Sequence, residues 1–98
     1  MTELNKKVFG KITTKEIIGA IPPITETRKL LENEYRNLIN ELESQNKDDL
    51  KKLLKEQQLA NKHINSRPGA MALAQDKIRL FIEYNQKYIQ IINEKLQS

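Results

Sequence analysis

Glu41-Leu42-Glu43-Ser44-Gln45-Asn46-Lys47-Asp48-Asp49-Leu50 is the stretch on which the architecture turns. Between Ile24 and Arg67 there is neither glycine nor proline, so no breaker in that tract forbids one continuous helix. Yet the apolar pattern lapses over Ser44, Gln45 and Asn46 before it resumes at Leu50. Two readings compete. In one, Asn46 is the N-cap of a new helix, with Asp48 and Asp49 placing negative charge in its first turn, and the chain is a small bundle of short helices. In the other, Leu42, Asn46, Leu50 and Leu53 keep one face running from about Thr25 to Ile64, a rod of roughly 60 Å at ~1.5 Å per residue. The lack of glycine and proline favours the rod, folded as an antiparallel hairpin with the helix that follows.

On the N-terminal side, Leu31, Tyr35, Leu38 and Leu42 are spaced four, three and four apart, a heptad-like seam widened by Leu30 and Ile39. Glu32 and Arg36 form one favourable i,i+4 pair, worth about 0.2–0.5 kcal/mol. Thr25 or Thr27 can cap this helix, and Pro22-Pro23 separates it from what precedes. Thr13-Thr14-Lys15-Glu16 has the spacing of a capping box, so a short helix begins there and carries Ile17, Ile18 and Ile21. Gly19 weakens it.

On the C-terminal side, Leu50, Leu53, Leu54, Ala60 and Ile64 continue the apolar stripe, with Gln57 inside it. Asn65-Ser66-Arg67-Pro68-Gly69 is the clearest turn, with Ser66 suited to a cap and Pro68 to a first helical position. From about Gly69 to Leu96 a last helix places Met71, Ala74, Ile78, Phe81, Tyr88 and Ile92 on one seam, interrupted by Asn85. Ile82, Ile89 and Leu96 lie beside that seam, and Leu80, Tyr84 and Ile91 on a further flank. More than half of its circumference is apolar. Such a helix is central in a bundle or packed against another molecule, because a two-helix hairpin covers only one side. The reading is therefore a single all-α domain over 1–98: an N-terminal arm over 1–24, one long helix or two over 25–65, a turn at 65–69, and a C-terminal helix over 69–97.

Composition agrees with this class. Ninety-eight residues are 38% hydrophobic and 5% aromatic, too few large side chains for a bulky sandwich but enough for helices buried along narrow stripes. The net charge is +4, distributed as +2 over 1–25, −2 over 26–45, +3 over 46–67 and +1 over 68–98. Alternating blocks of this kind allow self-pairing. No segment reaches the ~20 apolar residues of a membrane span, and no hydrophobic leader opens the chain, so a soluble, cytoplasmic protein is expected. With no cysteine there is no disulfide framework, thiolate nucleophile or cysteine-based zinc site.

The residues offer little chemistry. His63 is the only histidine, without the second histidine or the carboxylate that a zinc-binding helix places at fixed spacing. Asp48 and Asp49 are adjacent, which points them about 100° apart on a helix, away from a common ligand. No phosphate-cradling loop or nucleophile elbow occurs. No enzyme, no cofactor and no metal are expected. What remains is surface. Lys47, Lys51, Lys55 and Lys62 follow one helical stripe, suited to a phosphate backbone or an acidic partner, or to a solvated face laced with Asp48–Lys52 and Lys52–Glu56 pairs. Phe81, Tyr84 and Tyr88 read as core or as interface anchors. Ile82, Ile89 and Ile91 read as contacts to a protein partner or to a second copy of the chain. Asn85 fixes register if buried. Ile17 and Ile21, with Ile18 and Ile24, form a docking segment or fold back over the last helix.

Ala74-Gln75-Asp76-Lys77-Ile78-Arg79-Leu80, followed by Glu83-Tyr84, resembles the third-to-fourth helix region of the immunity proteins of pediocin-like bacteriocins. The resemblance spans about a fifth of the chain. It implies a small, basic, cytoplasmic four-helix bundle without catalytic activity that protects its host from a membrane-active peptide by acting on the peptide–receptor complex. The family breaks nearer the Lys-Ile-Arg region than Pro68-Gly69 does here. The leading expectation from the residues themselves is a non-catalytic protein-interaction module, an adaptor, assembly component or inhibitor that self-associates. A basic nucleic-acid-binding helical protein is the alternative of a different class.

Overall fold

The computed structural model describes residues 6–19, 22–65 and 70–98, with side chains from 75 onward in the last of these segments. In chain order the elements are β1 (Lys7–Phe9), β2 (Ile12–Thr13), α1 (Thr14–Ile18), α2 (Ile24–Leu42), α3 (Lys47–Asn65) and α4 (Ala70–Gln97). Of the two all-α forms expected, helical hairpin or small bundle, the small bundle is present, with a two-stranded hairpin added at its N-terminal end.

The tract between Ile24 and Arg67 is two helices, which corrects the preference for one rod. The side chain of Asn46 accepts the Asp49 N–H at 2.9 Å, and its carbonyl accepts the Leu50 N–H at 3.0 Å, so Asn46 is the cap of α3. At the end of α2 the Ser44 and Gln45 N–H groups turn back to the carbonyls of Glu41 and Leu42 at 3.2 and 3.1 Å, and the Ser44 hydroxyl also donates to Glu41 O at 2.9 Å. These i→i−3 bonds tighten the last turn and satisfy carbonyls that glycine-based endings otherwise serve. No non-glycine residue among those described has a positive φ. The turn is thus made by backbone i→i−3 bonds and polar side chains without a left-handed residue, so it requires no glycine. The domain extends 40 × 23 × 23 Å, far shorter than the rod would be.

Proline sets the start of α2. Pro23 holds φ −66° and ψ 164° as the N-cap residue without a side-chain cap bond. Neither Thr25 nor Thr27 caps the helix; Thr27 is buried and its hydroxyl donates back to Pro23 O at 3.2 Å. The capping box around Thr13 and Glu16 is formed, with the Thr13 N–H donating to Glu16 Oε1 at 3.0 Å. The helix it starts ends at Ile18, before Gly19. Ile21 and the segment 66–69, where the sequence places the sharpest turn, lie outside the described residues, as do the side chains of Met71 and Ala74.

α4 is the axis of the molecule and packs against α1, α2 and α3. Ile78, Phe81, Tyr88 and Ile92 are 0–1% exposed, so the seam read from the sequence is the centre of the core. Leu31 and Leu42 from α2, Leu50, Ala60 and Ile64 from α3, and Ile17 from α1 complete it. The hairpin, which the sequence reading did not anticipate, closes the remaining side. Val8, Phe9 and Ile12 are buried, and the Phe9 ring meets Phe81 and Tyr88 edge-on at centroid distances of 6.3 and 5.8 Å. Gly10, at φ 59°, makes the turn between the strands in a region where a side chain is strained. Lys11 N–H ties that turn to Glu34 of α2 at 2.9 Å.

Candidate interaction surface

Four of the eight residues read from the sequence as protein-partner contacts are spent inside the monomer. Phe81, Tyr88 and Ile17 are fully buried in the core and cannot meet a partner without unfolding. Tyr84 is buried too: its hydroxyl donates to Glu32 Oε1 at 3.3 Å, its ring meets Tyr35 edge-on at a centroid distance of 5.7 Å, and the Lys87 ammonium lies 5.2 Å from its centroid. Ile82, Ile89 and Ile91 are half-buried. The cause is topological. Three helices and a hairpin pack around α4, so much of its apolar circumference is covered by its own chain. The N-terminal arm folds back as cover, and it is fastened there: the Lys77 ammonium donates to the carbonyls of Gly19 and Pro22 at 2.7 and 2.6 Å. Burial of this ammonium lowers its pKa from the ordinary 10.5, against a smaller upward pull from Glu16.

Asn85 is completely buried and sits at the contact of α3 with α4. Its Oδ1 accepts from Asn61 Nδ2 at 2.9 Å, and its Nδ2 donates to Gln57 Oε1 at 2.9 Å and to Gln57 O at 3.2 Å. Asn65 extends the chain by donating to Asn61 Oδ1 at 2.6 Å. A shift of either helix by one turn would leave these amides unpaired in the core, so the network fixes the rotation and register of α3. That rotation decides which side of α3 faces outward.

The outward side is basic. Lys47, Lys51, Lys55 and Lys62 are all exposed, and Lys52 joins them on the same face. Asp48 lies within this face near its N-terminal end, and Asp49 and Glu56 stand at its edge. Among the lysines is Leu59, 55% exposed, the most exposed large hydrophobic of the described residues. Sequence reading missed it because attention followed the apolar stripe; the signal was its place off that stripe, four residues after Lys55 and three before Lys62. Ile24, 37% exposed at the start of α2, is the other exposed large apolar side chain among the described residues.

Elsewhere the chemistry stays sparse. Among the described residues no three His, Asp or Glu side chains converge as a metal site, and no helix is long and apolar enough to cross a membrane. Asp48 and Asp49 serve the N-terminus of α3. Glu32 pairs with Arg36 at 3.6 Å, as the spacing requires. A cleft of about 240 Å³ lies between the hairpin, α2 and α3, with Val8, Leu38, Leu53, Ala60 and Tyr88 in its lining. Burial raises the Tyr88 hydroxyl pKa to about 12, and the charges of Glu41 and Glu56 add to the effect. Compared with known proteins, the chain matches no protein-family model, no curated protein and no solved structure.

Proposed function

We propose that the protein is a non-catalytic helical interaction module, of the adaptor or inhibitor kind, which acts by binding an acidic partner surface through the outer face of α3. The observation that carries this reading is the concentration of five exposed lysines and Leu59 on one side of a single helix, while Ile78, Phe81, Tyr84, Tyr88 and Ile92 of α4 are buried in the fold. Self-association through α4 has lost Phe81, Tyr84, Tyr88 and Ile17 as contacts and does not form part of the proposal. The test is binding to an acidic polymer such as polyglutamate, measured for the wild type and for Lys51→Glu with Lys55→Glu. The wild type binds with an affinity that falls as salt rises, and the double variant, equally folded by circular dichroism, does not. Equal binding by both would reject the α3 face.

A second reading, the immunity-type protein, is favoured by one observation: four helices in a small basic chain, the count that the resemblance implies. It predicts that cells sensitive to a pediocin-like peptide survive challenge when they express this chain. Unchanged sensitivity across a panel of such peptides would remove it.

A further inference from the structure

The same face of α3 carries a more specific inference, which rests on the reading just given and names the surface it meets. We infer that α3 lies flat on an anionic lipid bilayer, with the lysine ammoniums at the phosphate level and Leu59 inserted between headgroups.

Three features of this face select lipid over other polyanions. The first is shape. Lys47 to Lys62 lie along one exposed side of α3, a line of charge about 22 Å long at ~1.5 Å per residue that suits a plane. The second is the type of cation. The face has five exposed lysines, point charges on flexible stems, and its described residues include no arginine or aromatic ring of the kind that grips bases. The third is Leu59. An exposed leucine surrounded by lysines gains nothing against a phosphodiester backbone, whereas at a bilayer its side chain leaves water for the acyl boundary. Charge supplies the long-range attraction, at a strength that grows with each lysine near the surface. The Asn85 network contributes indirectly by holding α3 at the rotation that keeps this face outward.

The chain has no tryptophan, so Leu59→Trp introduces a single reporter at the insertion point. The probe is vesicles of phosphatidylcholine and phosphatidylglycerol in equal parts, with pure phosphatidylcholine vesicles, polyglutamate and duplex DNA as parallel arms. The expected result is sedimentation with the anionic vesicles alone among the lipids, with a blue shift of the Trp emission on binding. Leu59→Ser weakens partition by roughly fivefold, as expected for a partly buried leucine. Lys51→Glu with Lys55→Glu weakens it by roughly tenfold or more. Lys7→Glu with Lys29→Glu, an equal change of charge elsewhere, costs markedly less. Binding to anionic vesicles with no emission shift and no effect of Leu59→Ser would overturn the inference, because the leucine then stays in water. Binding to polyglutamate or DNA but not to the vesicles would overturn it while leaving the α3 face as the binding site. Binding to none of the four overturns both. Circular dichroism of every variant guards against unfolding, and all the substituted side chains are exposed.

Discussion

Asn85 shows how one polar residue organises an apolar seam. In the sequence it interrupts Phe81, Tyr88 and Ile92, and whether it was buried decided its meaning; zero exposure and three amide contacts decide it. Asn85→Ala strands the side chains of Gln57 and Asn61 without their partner and opens a small void, so a loss of about 2 kcal/mol in denaturant unfolding is expected. A change below the error of that measurement would show that the network is not formed. Tyr88 gives a pH-dependent counterpart. Its folded-state pKa of about 12 lies above the ordinary 10, so the native protein holds the phenol proton longer than the unfolded chain. The stabilisation is fully present below pH ~10 and is lost as pH climbs toward 12, by roughly 2–3 kcal/mol. Tyr84, also raised, acts in the same direction, and Lys77, lowered by burial, acts in the opposite one. Comparing alkaline melts of the wild type and Tyr88→Phe isolates the Tyr88 share: the variant loses less stability between pH 10 and 12. The broad apolar face of α4 was legible residue by residue, but exposure was not. Whether Phe81 met a partner or the chain's own Phe9 depends on a contact 72 positions away in sequence, which periodicity does not encode.

Element by element, helix α4 and the capping box at Thr13–Glu16 were readable because each is local: a 3.6-residue period and a four-residue motif need no tertiary information. The break at 43–46 is hard to read because it holds neither glycine nor proline, the usual marks of a connection. Here Asn46 and Ser44 do the work through side-chain hydrogen bonds, and the packing of both α2 and α3 on α4 rewards the reversal. The two possibilities make opposite predictions for Asn46→Ala. Within a continuous helix, alanine replaces a poor helix former and stabilises. As an N-cap it removes the acceptor of the Asp49 N–H and destabilises by about 1 kcal/mol, while Asn46→Asp retains the bond. Thermal melts of the two variants give the sign directly. The β-hairpin went unread for a different reason. Its strands are three and two residues long, too short for an alternation to stand out, and they are held by packing of Phe9 and by the Lys11–Glu34 bond rather than by strand propensity.

At the scale of the molecule, apolar residues of every described element converge on the core around α4, and five exposed lysines are left on the outside of α3. The lysine stripe was legible because spacing of four and seven aligns side chains on any helix. Leu59 and Lys52 became part of it only once the rotation of α3 was known. The central claim is that the protein works through this one face. Chemical footprinting of lysine amines, with an acylating reagent and mass spectrometry in the presence and absence of anionic vesicles, tests it most directly. The account predicts that Lys47, Lys51, Lys52, Lys55 and Lys62 lose reactivity together on binding while Lys7, Lys29 and Lys87 keep theirs. Shielding of Lys87 on α4 or of Lys29 on α2, with the α3 lysines still reactive, would contradict it.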